Sequence, residues 1–180
     1  GIKTNTLVLN GTALADIYEG KVKFWDNKEI TSLNKGMKLP HLRVTVVHRA
    51  DGSGTTYNFT NYLSQVDNNW KKHYGYSTSI DWPVGIGAKG NSGVAMFIKR
   101  ITGSIGYVEY SYAKQTGLAW TKMKNRSGRV VSPNFKTFQA AAINARWSRV
   151  KNFDLLLTNQ PGRMSWPMTA TTFALLRNVP

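Results

Sequence analysis

The stretch His48-Arg49-Ala50-Asp51-Gly52-Ser53-Gly54-Thr55-Thr56 joins two kinds of periodicity at one turn, and few folds accommodate such a junction. Before it, Arg43-Val44-Thr45-Val46-Val47 is a β-branched apolar run of the kind that forms a buried strand. After it, Tyr57, Phe59, Tyr62, Leu63 and Val66 recur at helical spacing, which predicts an amphipathic helix. Strand, glycine-containing turn and helix start therefore meet at one point. The exposed N–H groups of a helix start and the positive end of its dipole favour an anion. Ser53, Thr55 and Thr56 add hydroxyl donors, and Arg49 offers a planar fork that matches phosphate or carboxylate. These residues by themselves predict an oxyanion site.

Around the junction, strands and helices alternate. Leu7 to Leu9 reads as a short strand, followed by a helix capped by Thr12 that contains Leu14, Ile17 and Tyr18 and stops at Gly20. Phe24 and Trp25 are packing residues, Asp26 or Asn27 caps a second short helix, and Pro40 breaks the chain before the key strand. The loop Gly85-Ile86-Gly87-Ala88-Lys89-Gly90-Asn91-Ser92-Gly93 precedes a helical run from Val94 to Ile101. It lacks the Gly-Lys-Ser/Thr ending of a P-loop, so Asn91 or Ser92 is expected to cap that helix while the glycines let it pack closely. Ser104 to Tyr110 and Ala119 to Met123 are strand candidates, and Arg126-Ser127-Gly128-Arg129 is a hairpin tip. Asn134 is expected to cap a helix from Phe135 to about Trp147, and Thr169 to Leu176 is a last β-rich run. This alternation predicts an α/β layer architecture with helices on both faces of the sheet.

With 180 residues and 41% hydrophobic content, the chain has material for one domain with a sizeable core and is not a disordered polypeptide. Having no cysteine, it can form neither a disulfide framework nor a thiolate metal site. His41, His48 and His73 have no metal-ligand spacing, so no metal is expected. No apolar run approaches membrane-spanning length, and Gly1 to Gly11 lacks the pattern of a charged segment followed by an apolar one. Asp-Gly-Ser-Gly around Ser53 is not the Gly-x-Ser-x-Gly elbow of a hydrolase. His48 adjoins the site as a strand-end packing or hydrogen-bonding residue, and no residue is placed to activate water. The expectation is binding without catalysis or cofactor. Asp51 would repel a neighbouring phosphate, so its expected role is to pair with Arg49 and orient the fork.

Charge supplies the alternative from another class. Twenty-four Lys and Arg against nine Asp and Glu give +15, enough to attract polyanions whatever the chain's main function. A basic nucleic-acid- or polyanion-binding domain is therefore the second reading. The positive residues are spread from Lys3 to Arg177 with only short pairs such as Lys71-Lys72, and no RNA-binding signature appears, so a solvated basic surface is preferred.

Arg49-Ala50-Asp51-Gly52-Ser53-Gly54-Thr55 resembles the anion-binding segment of the PstS family, the periplasmic phosphate-binding proteins of ABC transporters. The likeness extends through Leu7-Val8-Leu9-Asn10-Gly11, Ala15-Asp16-Ile17-Tyr18-Glu19-Gly20-Lys21 and Phe24-Trp25-Asp26. It resumes in Trp82-Pro83-Val84-Gly85-Ile86-Gly87-Ala88-Lys89-Gly90-Asn91, Gly106-Tyr107-Val108-Glu109-Tyr110, Leu157-Thr158-Asn159-Gln160 and Trp166-Pro167-Met168-Thr169-Ala170-Thr171-Thr172-Phe173. The resemblance implies a type 2 periplasmic-binding-protein-like fold with a central mixed sheet flanked by helices. Residues 1–180 would be its second lobe, without the first lobe and the C-terminal helices that rejoin it. It implies that Arg49, Ser53, Gly54 and Thr55 hold inorganic phosphate, Ser53 and Thr55 through hydroxyl and amide and Gly54 through its amide, with Asp51 orienting the arginine. The implied partners are the missing lobe and the membrane permease, and the implied place is the periplasm or cell surface. The family's acidic acceptor, which separates phosphate from sulfate, belongs to the other lobe.

Overall fold

The computed structural model describes residues 5–151 and 154–173. β1 (Val8–Leu9) leads into α1 (Gly11–Tyr18). The cap of α1 is Asn10, whose side chain accepts the Ala13 amide at 2.8 Å. Thr12, the predicted cap, already lies inside the helix; Asn10 has the extended backbone a cap needs and so takes the orphan amide. The chain then turns at Gly20, whose φ of +76° is open to glycine without a Cβ penalty. α2 (Lys28–Leu33) is capped by Asn27, and β2 (Thr45–Arg49) and α3 (Gly54–Val66) form the junction read from the sequence. After α4 (Asn68–His73) come β3 (Ile86–Ala88), α5 (Gly90–Arg100), β4 (Ser104–Gly106) and α6 (Tyr110–Gln115). β5 (Lys122–Lys124), β6 (Val130–Val131) and α7 (Phe135–Ile143) follow, then a 3-10 turn at Trp147–Arg149.

Parallel and antiparallel pairing both occur, divided over two three-stranded sheets. In the order β3-β2-β4 every neighbour is parallel, with Val47 opposite both Ile86 and Gly106. β2 is paired on both edges, a place that suits its continuous β-branched run. α5 covers this sheet by setting Val94 against Val47 and Ala88. Gly106 permits that approach, since a Cβ there would fall 2.7 Å from Ile98 Cδ1 and 2.9 Å from the Val47 carbonyl oxygen. The second sheet has the order β1-β5-β6, parallel at β1–β5 and antiparallel at the β5–β6 hairpin. Arg126-Ser127-Gly128-Arg129 is the tip of that hairpin, as predicted.

Several boundaries differ from the sequence expectation. The strand predicted over Ser104 to Tyr110 stops at Gly106, because Tyr107 turns into the core and Tyr110 starts α6. α5 starts at Gly90 with no side-chain bond from its cap residue, so neither Asn91 nor Ser92 caps it. Asn134 does cap α7, in a reciprocal capping box with Thr137, but the helix ends at Ile143 and the Trp147 indole returns to the Ala142 carbonyl at 2.7 Å. Residues 169–173 form no strand, and positions 174–176 of that predicted run lie outside the described residues.

The main core joins strands of both sheets to α1 and α3 through Leu9, Ile17, Tyr18, Val46, Phe59, Tyr62, Leu63, Trp70 and Met123. Each fully buried side chain of this size contributes about 1.5–3 kcal/mol. Helices as short as α1 owe their stability to that burial and not to propensity. Trp25 is inside the core, its indole N–H donated to the Gly103 carbonyl at 2.9 Å, while Phe24 stacks on His41 at 4.4 Å. On α7, Phe135 and Ile143 are 76% and 72% exposed. Among the described residues no helix is long and apolar enough to cross a membrane.

Candidate anion-binding site

β2 ends on Arg49 and α3 begins at Gly54, so the intervening turn ties a strand end to a helix start. Ser53 is the cap of α3: its Oγ accepts the Thr56 amide at 3.1 Å, and the residue is buried. Capping uses the oxygen as an acceptor and leaves the O–H to donate. The Ser53 amide is committed to the Thr78 carbonyl at 2.9 Å, so of the two donors expected from this residue only the hydroxyl remains. The amides of Gly54 and Thr55 open the helix and have no carbonyl one turn earlier to receive them. With 13 residues, α3 carries a developed dipole whose positive end lies at these amides.

Arg49 Nε donates to Asp51 Oδ1 at 2.7 Å, and Nη2 donates to Oδ2. This bidentate pair occupies one edge of the guanidinium and leaves the Nη1 edge for another acceptor. Asp51 is held from a second side, because the Gly90 amide donates to its Oδ1 at 3.0 Å. The carboxylate thus takes the place of the missing cap at the start of α5. Hydrogen bonding to Asp51 raises the Arg49 pKa, against the opposing effect of partial burial. The Arg49 bond, and next the Gly90 bond, hold the Asp51 carboxyl well below the usual carboxylate range. Because the folded value is the lower one, the pair is complete above the unfolded carboxyl pKa. It is lost only as pH falls through the depressed value, in strong acid.

Behind the turn, the Arg49 amide donates to the Tyr107 hydroxyl at 3.1 Å, and that hydroxyl lies 2.6 Å from Thr56 Oγ1. Nothing local in the sequence marks Tyr107, which stands 58 positions from Arg49. His48 stacks on Trp82 at 4.8 Å and donates Nδ1–H to the Arg49 carbonyl at 3.0 Å. Burial lowers its pKa, so at neutral pH it is an uncharged packing residue of the kind expected.

Arg49, Ser53, Gly54 and Thr55 line one broad concavity with Asn58, Tyr107 and Glu109, while Asp51 stays outside the lining. All five residues selected from the sequence are therefore together, four facing the concavity and one bracing the arginine. Among the described residues no group of three or more His, Asp or Glu could hold a metal ion. The arrangement presents hydroxyl, amide and guanidinium donors to one space whose lining also includes Glu109, while Asp51, outside the lining, is paired with Arg49.

This geometry separates two roles for Asp51. Simple charge repulsion makes Asp51→Asn bind an anion more tightly. Loss of the bidentate brace makes it bind more loosely, with the fold retained. The second outcome is expected in a phosphate titration of the two proteins, and tighter binding by the Asn variant would remove the bracing role.

A parallel strand feeds a capped helix, and an arginine fork paired to a carboxylate stands at the end of the strand, in a chain of α/β class. The chain belongs to the PBP superfamily, whose domain matches residues 2–176. It is 49% identical over 176 residues to "Phosphate-binding protein PstS" of Xylella fastidiosa (strain 9a5c), covering 98% of this chain and 48% of that protein. It is likewise 49% identical over 175 residues to the PstS of Pasteurella multocida (strain Pm70), covering 97% of this chain and 51% of the relative. The chain spans about half the length of these relatives. Among solved structures, the high-affinity periplasmic phosphate-binding protein PfluDING bound with phosphate aligns with a TM-score of 0.58 at 23% identity. That alignment covers 89% of this chain and 48% of the other. PstS from Borrelia burgdorferi aligns with a TM-score of 0.52 at 23% identity, over 76% and 46% of the two chains. The PBP-like α/β fold expected from the sequence is the observed one.

Proposed function

We propose that residues 1–180 form one lobe of a two-lobed receptor and contribute half of an inorganic phosphate site, in the service of a phosphate ABC importer. The observation that carries this reading is the β2–α3 junction, where Arg49, its fork paired to Asp51, lines the same concavity as Gly54 and Thr55 at the start of α3. Arg49, the Ser53 hydroxyl, Gly54 and Thr55 hold the anion, and Asp51 orients the arginine. The names of the relatives, which are phosphate-binding proteins, support phosphate over other oxyanions. The role is binding without catalysis: the four proposed ligands offer donors from one side, and the nearby histidine is engaged with Trp82 and the Arg49 carbonyl. The partners are the first lobe and the membrane permease, and the place of work is the periplasm or the cell surface.

Calorimetry of the chain against phosphate, sulfate and a short DNA duplex tests the proposal. Saturable phosphate binding is expected, together with a duplex interaction that disappears as salt is raised. The +15 charge is what favours the polyanion alternative. Saturable duplex binding without any response to phosphate would establish that alternative instead.

A further inference from the structure

We propose that Tyr107 is a positioning residue of the anion site, an inference that rests on the phosphate reading of Arg49 and the α3 start. Its hydroxyl touches both halves of the junction, accepting the Arg49 amide at 3.1 Å and lying 2.6 Å from Thr56 Oγ1. Arg49 closes β2, and Thr56 belongs to the first turn of α3. The tie therefore sets the spacing between the Arg49 backbone, from which the guanidinium extends, and the helix start that carries Ser53, Gly54 and Thr55.

The ring is held independently of that tie. It stacks on Phe59 of α3 at 4.3 Å and 12°, and on Trp82 at 5.8 Å and 29°, while Trp82 stacks in turn on His48 of β2 at 4.8 Å. Packing alone would be served by phenylalanine, and a buried hydroxyl is costly unless it is partnered. The Tyr107 hydroxyl has two partners, and both belong to the frame of the site. Donors that share one oxyanion must converge to within about half an ångström, a tolerance met only when the supporting groups are themselves fixed. Asp51 and the Gly90 amide anchor Arg49 toward α5, and Tyr107 anchors it toward α3.

The test uses Tyr107→Phe, which keeps the ring, with Thr56→Val and Thr56→Ser at the other end of the tie. Phosphate affinity is measured by calorimetry, and the Arg49 amide and guanidinium resonances are followed by NMR. Tyr107→Phe is expected to keep its far-UV spectrum, bind phosphate about tenfold more weakly, and shift the Arg49 amide. Thr56→Ser should retain affinity. The double variant with Thr56→Val should be no weaker than the worse single variant, because both cut one tie. Unchanged affinity in Tyr107→Phe, fully additive losses, or an unmoved Arg49 amide would each overturn the proposal. If the unaltered chain and Arg49→Ala respond alike to phosphate, the phosphate reading itself has failed. The Arg49 resonances then decide whether Tyr107 positions this arginine, moved signals supporting the role and unmoved ones ending it.

Discussion

Replacing Arg49 by alanine is expected to weaken phosphate binding by roughly 2–4 kcal/mol, up to the whole of what the chain alone supplies, while Lys71→Ala and Lys122→Ala change it by about nothing. The three residues share a charge but not a setting. The Arg49 side chain is 10% exposed, and its fork is already oriented by a bidentate carboxylate next to the start of α3. Lys71 is a solvated residue of the short α4, and Lys122 lies in β5, in the other sheet. A charge-assisted contact in a partly desolvated site is strong, whereas a solvated lysine contributes only a screened field. Arg49→Lys sharpens the comparison, because it keeps the charge and loses the planar fork. It should recover little of the affinity. Calorimetry of the four variants, with thermal melts to establish folding, gives the answer. Equal losses at Arg49, Lys71 and Lys122 would mean that attraction is diffuse.

Supplying the other half of the receptor is expected to have the second large effect. The 180-residue chain alone should bind phosphate in the millimolar range, about 4 kcal/mol of binding free energy, and joining it to a first lobe should bring micromolar or tighter binding, about 8 kcal/mol. Arg49, Ser53, Gly54 and Thr55 approach an anion from one side. The concavity they line is open, so water and salt compete for each contact. A second lobe replaces that solvent with fixed donors and strengthens every contact already present. Selectivity should appear in the same step, since the family resemblance implies that the acidic acceptor distinguishing phosphate from sulfate belongs to the proposed first lobe. The exposed Phe135 and Ile143 on α7 should also make the chain prone to self-association, moderated by its +15 charge. Titrations of the chain and of the joined protein against phosphate and sulfate decide the matter. Micromolar, sulfate-excluding binding by the chain alone would show a site complete on one side.

What was legible in the sequence is what neighbouring residues decide among themselves. Thr45 to Val47 supply the start of β2 because a β-branched run suits a strand paired on both edges. Arg49 pairs with Asp51 two positions on, so residue type and spacing were enough for that contact, whereas Ser53, expected only as a donor, also caps α3 through the amide three positions on. The cap of α1 is Asn10 and not the expected Thr12, because the helix starts at Gly11, one residue before it. The tertiary structure decided what the turn meets. The Gly90 amide reaches Asp51 from 39 positions away, the Tyr107 hydroxyl reaches Arg49 from 58, and the Thr78 carbonyl removes the Ser53 amide from the donors available to an anion. The division of the strands into two sheets is of the same kind. None of these contacts has a periodicity or a cap to announce it, because each forms only when burial of the core closes the intervening chain and makes distant polar groups find one another out of water.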